Sequence, residues 1–241
     1  MIRWMASLLR RLYPEPAGAT TPREAYDAPR PAQRTAAGRR PWVSLCMIAS
    51  LDGAVVVDGR SGPLGNPTDR DVLLTLRELA DVVLVGAGTA RGEGYGPPGK
   101  PGLRVAVVTN SGSVDLSSAL FSSGAGFLVV PEAADVDAGA VDVLRAGVER
   151  VDLALALATL ESIVPGVGVV QAEGGPTLNG SLLAADSVDE LNLTISPRMV
   201  GGDSPRVAHG PAALDARFTL AHLLADDERF VFGRWVRDRR P

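Results

Sequence analysis

Two glycine-rich segments, each directly after a Val-rich run, are the parts of this chain best suited to chemistry. Gly86-Ala87-Gly88-Thr89 ends the run that starts at Asp81, and Glu173-Gly174-Gly175-Pro176-Thr177-Leu178 follows Gly168–Ala172. Small residues let a backbone approach a phosphate, and free N–H groups or a hydroxyl can bind its oxygens. The first segment is not a Rossmann fingerprint, because the third glycine would fall at Arg91, and no Gly-Lys-Ser/Thr marks a Walker loop. A plain strand–helix turn accounts for it as well as an anion site does. In the second, paired glycines lead into a helix start, with Pro176 suited to the first helical position. A tight turn has the same residues, but Glu173 sets this one apart. A carboxylate at the mouth of an anion site is useful only if it meets a hydroxyl, an amine or a proton to be moved.

Between the two lies Arg91-Gly92-Glu93-Gly94-Tyr95-Gly96-Pro97-Pro98, a glycine-dense loop and hence exposed and adaptable. Its acid, Glu93, is either a solvated loop carboxylate or a group that transfers or orients a proton. Other chemistries lack material. There is no Gly-x-Ser-x-Gly elbow, and Cys46 sits in an apolar run without an evident His partner, so it reads as core. One cysteine and two histidines, His209 and His222, leave no ligand set for a metal centre.

The elements that must position these groups follow from the hydrophobic pattern. Trp42–Ser50 is a continuous apolar run, as expected of a strand buried on both faces. Leu51-Asp52-Gly53 turns the chain and Ala54–Val57 resumes as a short strand. Thr68–Ala80 reads as a helix, with Thr68 as N-cap, Asp69 and Asp71 in the first turn, and Val72, Leu73, Leu76 and Leu79 as the buried stripe. Strands follow at Asp81–Gly86, Leu103–Thr109, Gly126–Val130, Gly168–Ala172 and Glu190–Ile195, with a weaker helix and strand within Val141–Leu160 and a helix over Leu178–Ala185. Phe218–Leu220 and Arg229–Val236 read as an antiparallel pair. Alternating strands and helices predict an α/β fold of three layers, with a mostly parallel central sheet and a C-terminal antiparallel hairpin. Ligands of such sheets sit beyond the carboxyl ends of the strands, where both glycine segments fall.

The chain has 241 residues, 46% of them hydrophobic and 22% charged, enough for a sizeable core. Lys+Arg 24 against Asp+Glu 28 gives −4, which argues against nucleic acid as a partner. The charge is uneven. Residues 1–40 carry eight Arg and three acids among Pro, Ala, Gly and Thr, a surplus of +5. They read as a basic N-terminal arm or linker, with the ordered domain spanning 41–241. Met1–Tyr13 places Trp4, Met5, Leu8, Leu9 and Leu12 at helical spacing, either a helix lying on its own domain or a membrane-surface helix. The run is too short and too interrupted by Arg10-Arg11 for a signal peptide. No apolar run approaches the ~20 residues a membrane span needs, so a cytoplasmic protein without stable membrane association is expected.

Taken together, Ala49-Ser50-Leu51-Asp52-Gly53, Ser61-Gly62, Leu76-Arg77, Val85–Arg91, Glu173–Leu178 and Val188-Asp189-Glu190-Leu191 resemble the riboflavin-pathway pyrimidine reductases. The resemblance covers about residue 41 to the C-terminus. It implies a dihydrofolate-reductase-like fold, a homodimer, and NADPH-dependent reduction of 5-amino-6-(5-phosphoribosylamino)uracil. With no His or Cys in residues 1–40, a stand-alone reductase without the zinc deaminase half is expected. By the same resemblance, Ala49, Gly86, Gly88 and Thr89 would face the cofactor. Gly174, Gly175, Pro176, Thr177 and Leu178 would cradle its phosphates, with Glu173 close to substrate. Ser111 would read the adenosine 2′-phosphate, and Ser61 and Arg77 would bind the heterocyclic substrate. Glu93 stands where the family has Asp. Pro63 replaces an expected Trp, and Lys100 an expected Arg. Asp69 stands where dihydrofolate reductases carry their pteridine-binding carboxylate. It is either a first-turn helix acid or a grip on an amino-pyrimidine edge. A reductase of dihydrofolate or another pterin is therefore the alternative enzyme, and a non-catalytic NADPH-binding module the alternative of another class.

Overall fold

The computed structural model describes residues 7–35, 38–211 and 213–239. The N-terminal segment forms β1 (Leu9–Tyr13), β2 (Gly18–Thr20), α1 (Pro22–Tyr26), β3 (Gln33–Thr35) and β4 (Gly38–Arg40). Then come β5 (Trp42–Ala49), α2 (Pro67–Leu79), β6 (Val82–Gly86), α3 (Ala87–Glu93), β7 (Arg104–Val108), α4 (Ala119–Ser122), β8 (Gly126–Val130) and β9 (Val143–Arg145). The chain closes with α5 (Leu153–Thr159), β10 (Val169–Ala172), α6 (Pro176–Ala184), β11 (Glu190–Ile195), β12 (Phe218–Ala225) and β13 (Val231–Arg237).

One 11-stranded sheet runs in the order β2-β1-β12-β13-β11-β5-β10-β6-β7-β8-β9, and a separate hairpin joins β3 to β4. From β11 to β9 every pairing is parallel; from β2 to β11 every pairing is antiparallel. The expected three-layer α/β fold with its C-terminal hairpin is present. Its strands are buried because helices cover both faces. Leu153, Leu157, Leu178 and Leu182 of α5 and α6 pack on Val43, Leu84 and Val170. On the other face, Val72 and Leu76 of α2 meet Ile48, Leu224 and Phe232, while α4 covers Val105 and Leu128.

Three local expectations are corrected. The cap of α2 is Asn66, whose side chain accepts from the Asp69 N–H at 2.9 Å, with Pro67 in the first turn. Thr68 therefore lies inside the helix. Ala54–Val57 forms no strand, because its backbone bonds go to a loop: Val55 N–H donates to Pro205, and Val56 pairs with Ser204. Met1–Tyr13 is not a helix over its described part. Residues 1–6 lie outside the described residues, and Leu9–Tyr13 is a strand that pairs with the open edge of β12.

Residues 7–35 and 38–40 do not read as a linker in the structure. Leu9 and Tyr26 are each 1% exposed and complete the core beneath α2. Arg30 donates to Glu190 at 2.8 Å, and Arg234 donates to the other oxygen of that fully buried carboxylate at 2.9 Å. Burial alone would raise the Glu190 carboxyl; the bonds and charges of Arg234 and Arg30 instead hold it at about 2. Arg40 grips the buried Asp189 with both terminal nitrogens, at 2.5 and 2.9 Å.

His222 packs edge-on against Tyr26, with ring centroids 4.7 Å apart, and its Nε2 has no partner among the described residues. Burial first, then the positive charge of Arg234, pushes its imidazole down to about 4. The sign follows from linkage. The unfolded chain takes up this proton at about pH 6.5 and the folded protein only near 4, so stability present above 6.5 drains away as pH falls between the two. The expected loss is about 3 kcal/mol at most. Thermal unfolding followed from pH 7 to pH 4 should show this slope in the wild type, and His222→Phe should flatten it.

Candidate functional site

The cleft lies where β5, β6 and β10 end side by side. Because β10 inserts between β5 and β6, the turn after β10 lands against the turn after β6. The N–H of Gly86 donates to the carbonyl of Gly174 at 2.8 Å. A Cβ built on Gly175 would stand 2.6 Å from the hydroxyl of Thr89, so the two turns touch through atoms only glycine leaves exposed. Gly174 carries φ +88, and the Gly174–Gly175 peptide is cis. Gly86 and Gly175 occupy the N-cap positions of α3 and α6, and neither helix start has a side-chain cap. Pro176 brings no N–H, so the donors that α6 has in its first turn are those of Thr177 and Leu178, beside those of the first turn of α3.

The cleft encloses about 230 Å³. Cys46, Met47 and Ile48 of β5 form its floor, with Val55, Val56 and Leu73 as further apolar wall. Ser61, Asp69, Gly88, Thr89, Glu93, Glu173, Gly175 and Pro176, all singled out from sequence, line it together. A groove of about 740 Å³ adjoins it along α2 and shares Ile48, Ser61, Asp69, Glu93 and Tyr95.

Three carboxylates meet here in three environments. Glu173 is saturated. Its Oε1 accepts from Arg77 Nε at 2.7 Å and Gln171 Nε2 at 2.8 Å; its Oε2 accepts from Arg77 Nη2 at 2.6 Å and Tyr95 O–H at 2.5 Å. Burial pushes the Tyr95 phenol well up, the negative charge of Glu173 pushes it further, and it stays a donor. Burial works against the Arg77 charge, but its bond to Glu173 raises it on balance. Glu93, on the last turn of α3, accepts the Ser61 N–H at 2.7 Å and so latches that loop to the helix. Asp69 has no ion pair among the described residues. Burial raises its carboxyl, the Thr194 hydroxyl opposes the shift, and Asp226 adds to it. Cys46, expected in the core, is half-buried at the cleft floor, and burial first, then the charge of Glu173, pushes its thiol up.

The remaining sequence candidates lie apart. Ala49 lines a different cavity, beside α6 and residues 206–211. Leu178 is 7% exposed and belongs to the core, so only its backbone can serve a ligand. Thr177 is exposed on α6. Ser111 sits just beyond β7, its hydroxyl accepting from Ser113 N–H at 3.2 Å and 3.4 Å from the Thr109 hydroxyl. Arg77 stands behind Glu173 and faces the groove rather than the cleft. Sequence reasoning missed Tyr95 and Gln171. Both carried a signal: an aromatic in a Gly/Pro loop, and a polar side chain in the apolar run Val169–Ala172.

The turns make a stability prediction. A side chain at Gly174 would hold positive φ and place its Cβ 3.2 Å from Met47 Sδ, whereas a methyl at Gly88 meets nothing within 4 Å. Positive φ costs an L-residue roughly 1–2 kcal/mol, so Gly174→Ala should lower the unfolding midpoint by roughly 2–8 °C. Gly88→Ala should leave it unchanged.

This geometry has counterparts among known proteins. Residues 41–232 match the family model described as the RibD C-terminal domain. A protein of Methanothermobacter thermautotrophicus is 29% identical over 180 residues, 69% of this chain and 82% of that protein. One of Archaeoglobus fulgidus is 31% identical over 199 residues, 73% of this chain and 89% of that protein. Both are named 2,5-diamino-6-ribosylamino-4(3H)-pyrimidinone 5′-phosphate reductase. A pyrimidine reductase-like protein of Corynebacterium diphtheriae superposes with a TM-score of 0.73 at 26% identity, covering 83% of this chain and 93% of that one. The riboflavin biosynthesis reductase Rib7 of Saccharomyces cerevisiae shares the fold, with a TM-score of 0.65 at 22% identity over 83% of this chain and 90% of its own. With a family match that runs from β5 to the start of β13 and takes in both glycine turns with Asp69, Glu93 and Glu173, the chain belongs to the RibD C-terminal domain family of pyrimidine reductases.

Proposed function

We propose that this chain is an NADPH-dependent reductase of a ribosylated aminopyrimidine 5′-phosphate, delivering hydride to the sugar imine carbon of 5-amino-6-(5-phosphoribosylamino)uracil. The observation that carries the reading is the meeting of two uncapped helix starts, at Gly86 and Gly175, on the rim of one cleft that also holds Glu93, Asp69 and Glu173. Such a cradle suits the phosphates of a dinucleotide. When bound, the nicotinamide nucleotide supplies the hydride.

The chain's own residues then have distinct tasks. N–H groups of α3 and α6, with the Thr89 hydroxyl beside them, hold phosphate oxygens. Ile48, Val55, Val56 and Leu73 keep water from the reacting carbon. Glu93 orients the Ser61 loop over the site. Glu173, one of the two acids expected to be catalytic, takes four donors on its two oxygens and positions Arg77 and Tyr95. The proton source on the cleft floor is Asp69, whose burial without a cation favours the protonated form. Ser111 would distinguish NADPH from NADH. We place the enzyme in the cytoplasm as a homodimer. The half-exposed apolar row Leu191, Leu193, Ile195 and Trp235 on the outer face of β11 and β13 supports the second point.

Asp69 also favours a second reading, since a cleft carboxyl beside Thr194 can grip the amino-pyrimidine edge of a pterin. NADPH oxidation should be measured with the uracil phosphate, its 2,5-diamino counterpart and dihydrofolate side by side. Turnover of a pyrimidine phosphate, faster with NADPH than with NADH, is the expected result. Turnover of dihydrofolate alone favours the pterin reading, and NADPH binding without any turnover leaves a non-catalytic module. Gly88→Ala places a methyl in the cleft without disturbing the fold. It should weaken NADPH about tenfold, or about 1.4 kcal/mol, by direct titration.

A further inference from the structure

Glu173 and Arg77 form a pair whose geometry is uneven. The carboxylate is 3% exposed at its side chain and the guanidinium 25%. All the bonding capacity of the carboxylate turns inward, to Arg77, Gln171 and Tyr95. Arg77 gives Nε and one N–H of Nη2 to Glu173 and also reaches the Tyr95 hydroxyl, which still leaves guanidinium hydrogens to spare. Arg77 lines the 740 Å³ groove, next to the cleft. The ring of Tyr95 is the third wall of the pair: its centroid is 5.4 Å from the guanidinium carbon, and its hydroxyl closes on Glu173. Tyr95 also lines both the cleft and the groove. It is thus one side chain that touches the anchor carboxylate, the cation and the space where a ligand would sit.

We infer that Tyr95 is a positioning residue for substrate: it pins Glu173 to Arg77, so that the free edge of the guanidinium, and not the carboxylate, faces an anionic group of the ligand such as a sugar phosphate. The inference rests on the reductase reading for the identity of the substrate, but not for the existence of the anion site. Without the phenol O–H, Oε2 of Glu173 keeps one donor instead of two. The carboxylate is then freer to rotate into the groove, and that change weakens the grip on the anion. Gln171 supports Oε1 in the same way from β10, but it lies under the sheet end and 1% exposed, out of reach of a ligand.

Tyr95→Phe keeps the ring and its packing on Arg77 and removes only what the hydroxyl does toward Glu173 and Arg77. Three readouts test it: the KM and kcat for the phosphorylated pyrimidine across pH 5–8, the Kd of ribose 5-phosphate by calorimetry, and the Kd of NADPH. The expected result is a KM and a ribose 5-phosphate Kd raised about 3- to 10-fold, less than the full worth of a hydrogen bond to a charged group because the bond lost lies behind the cation and not on the ligand. The kcat at neutral pH and the NADPH Kd should stay within about twofold of the wild type. Arg77→Ala should abolish ribose 5-phosphate binding. Ribose 5-phosphate that fails to bind the wild type, or that binds wild type and Tyr95→Phe equally, overturns the inference. A lowered kcat with unchanged KM overturns it too, since that would make Tyr95 part of the chemistry. If no pyrimidine is turned over but ribose 5-phosphate still responds to both substitutions, the reductase reading fails and the positioning role stands.

Discussion

The cleft exists because two backbone turns approach more closely than side chains would permit. Gly86 N–H meets the Gly174 carbonyl at 2.8 Å, and the position of a Cβ on Gly175 is already filled by the Thr89 hydroxyl. This contact is a consequence of topology. β10 comes late in the chain yet pairs in parallel with both β5 and β6. Its end must therefore emerge between theirs, and the first turns of α3 and α6 are brought to one rim. Strand order selects the place, and glycine permits the approach.

A second constraint acts at the other end of the strands. The sheet carries buried acids at the start of β11, Asp189 and Glu190, and both are held by arginines from segments far away in sequence. Leaving such a carboxylate unpaired costs about 3–5 kcal/mol. Arg30 and Arg40 therefore tie the N-terminal segment to the domain by charge, while Leu9 and Tyr26 tie it by burial. The basic surplus that looks like a solvated arm in composition is in part a set of counter-ions for acids of the core.

That difference shows what the sequence could and could not convey. Strands such as Val82–Gly86 and Gly126–Val130 announce themselves, because burial on both faces demands a continuous apolar run. The turns at Gly86 and Gly174 were legible as turns, because glycines directly after an apolar run end a strand, while a use for them was not. Arg30 was not legible, since its partner lies 160 residues away and nothing local distinguishes it from Arg23 or Arg34. Asn66 was legible but overlooked: a proline in the first helical position points to the residue before it as the cap. Ala54–Val57 misled because β-rich composition requires a partner strand, and here a loop supplies the bonds. At the site, spacing identified the acids but not their states, which depend on Gln171 and Tyr95 reaching Glu173 across the fold.

The states of those acids are what make the cleft usable. A site for a polyanionic dinucleotide and a phosphorylated sugar would repel both if Glu173, Asp69 and Glu93 stood bare beside one another. The protein answers each charge differently. Arg77 neutralises Glu173 and keeps hydrogens to spare on the groove side. Burial without a cation drives Asp69 toward its neutral form. Glu93 is turned onto the Ser61 N–H, where its charge orders a loop. The same residue type thus meets three different surroundings, and the division is set by which donors each carboxylate meets rather than by its place in the sequence.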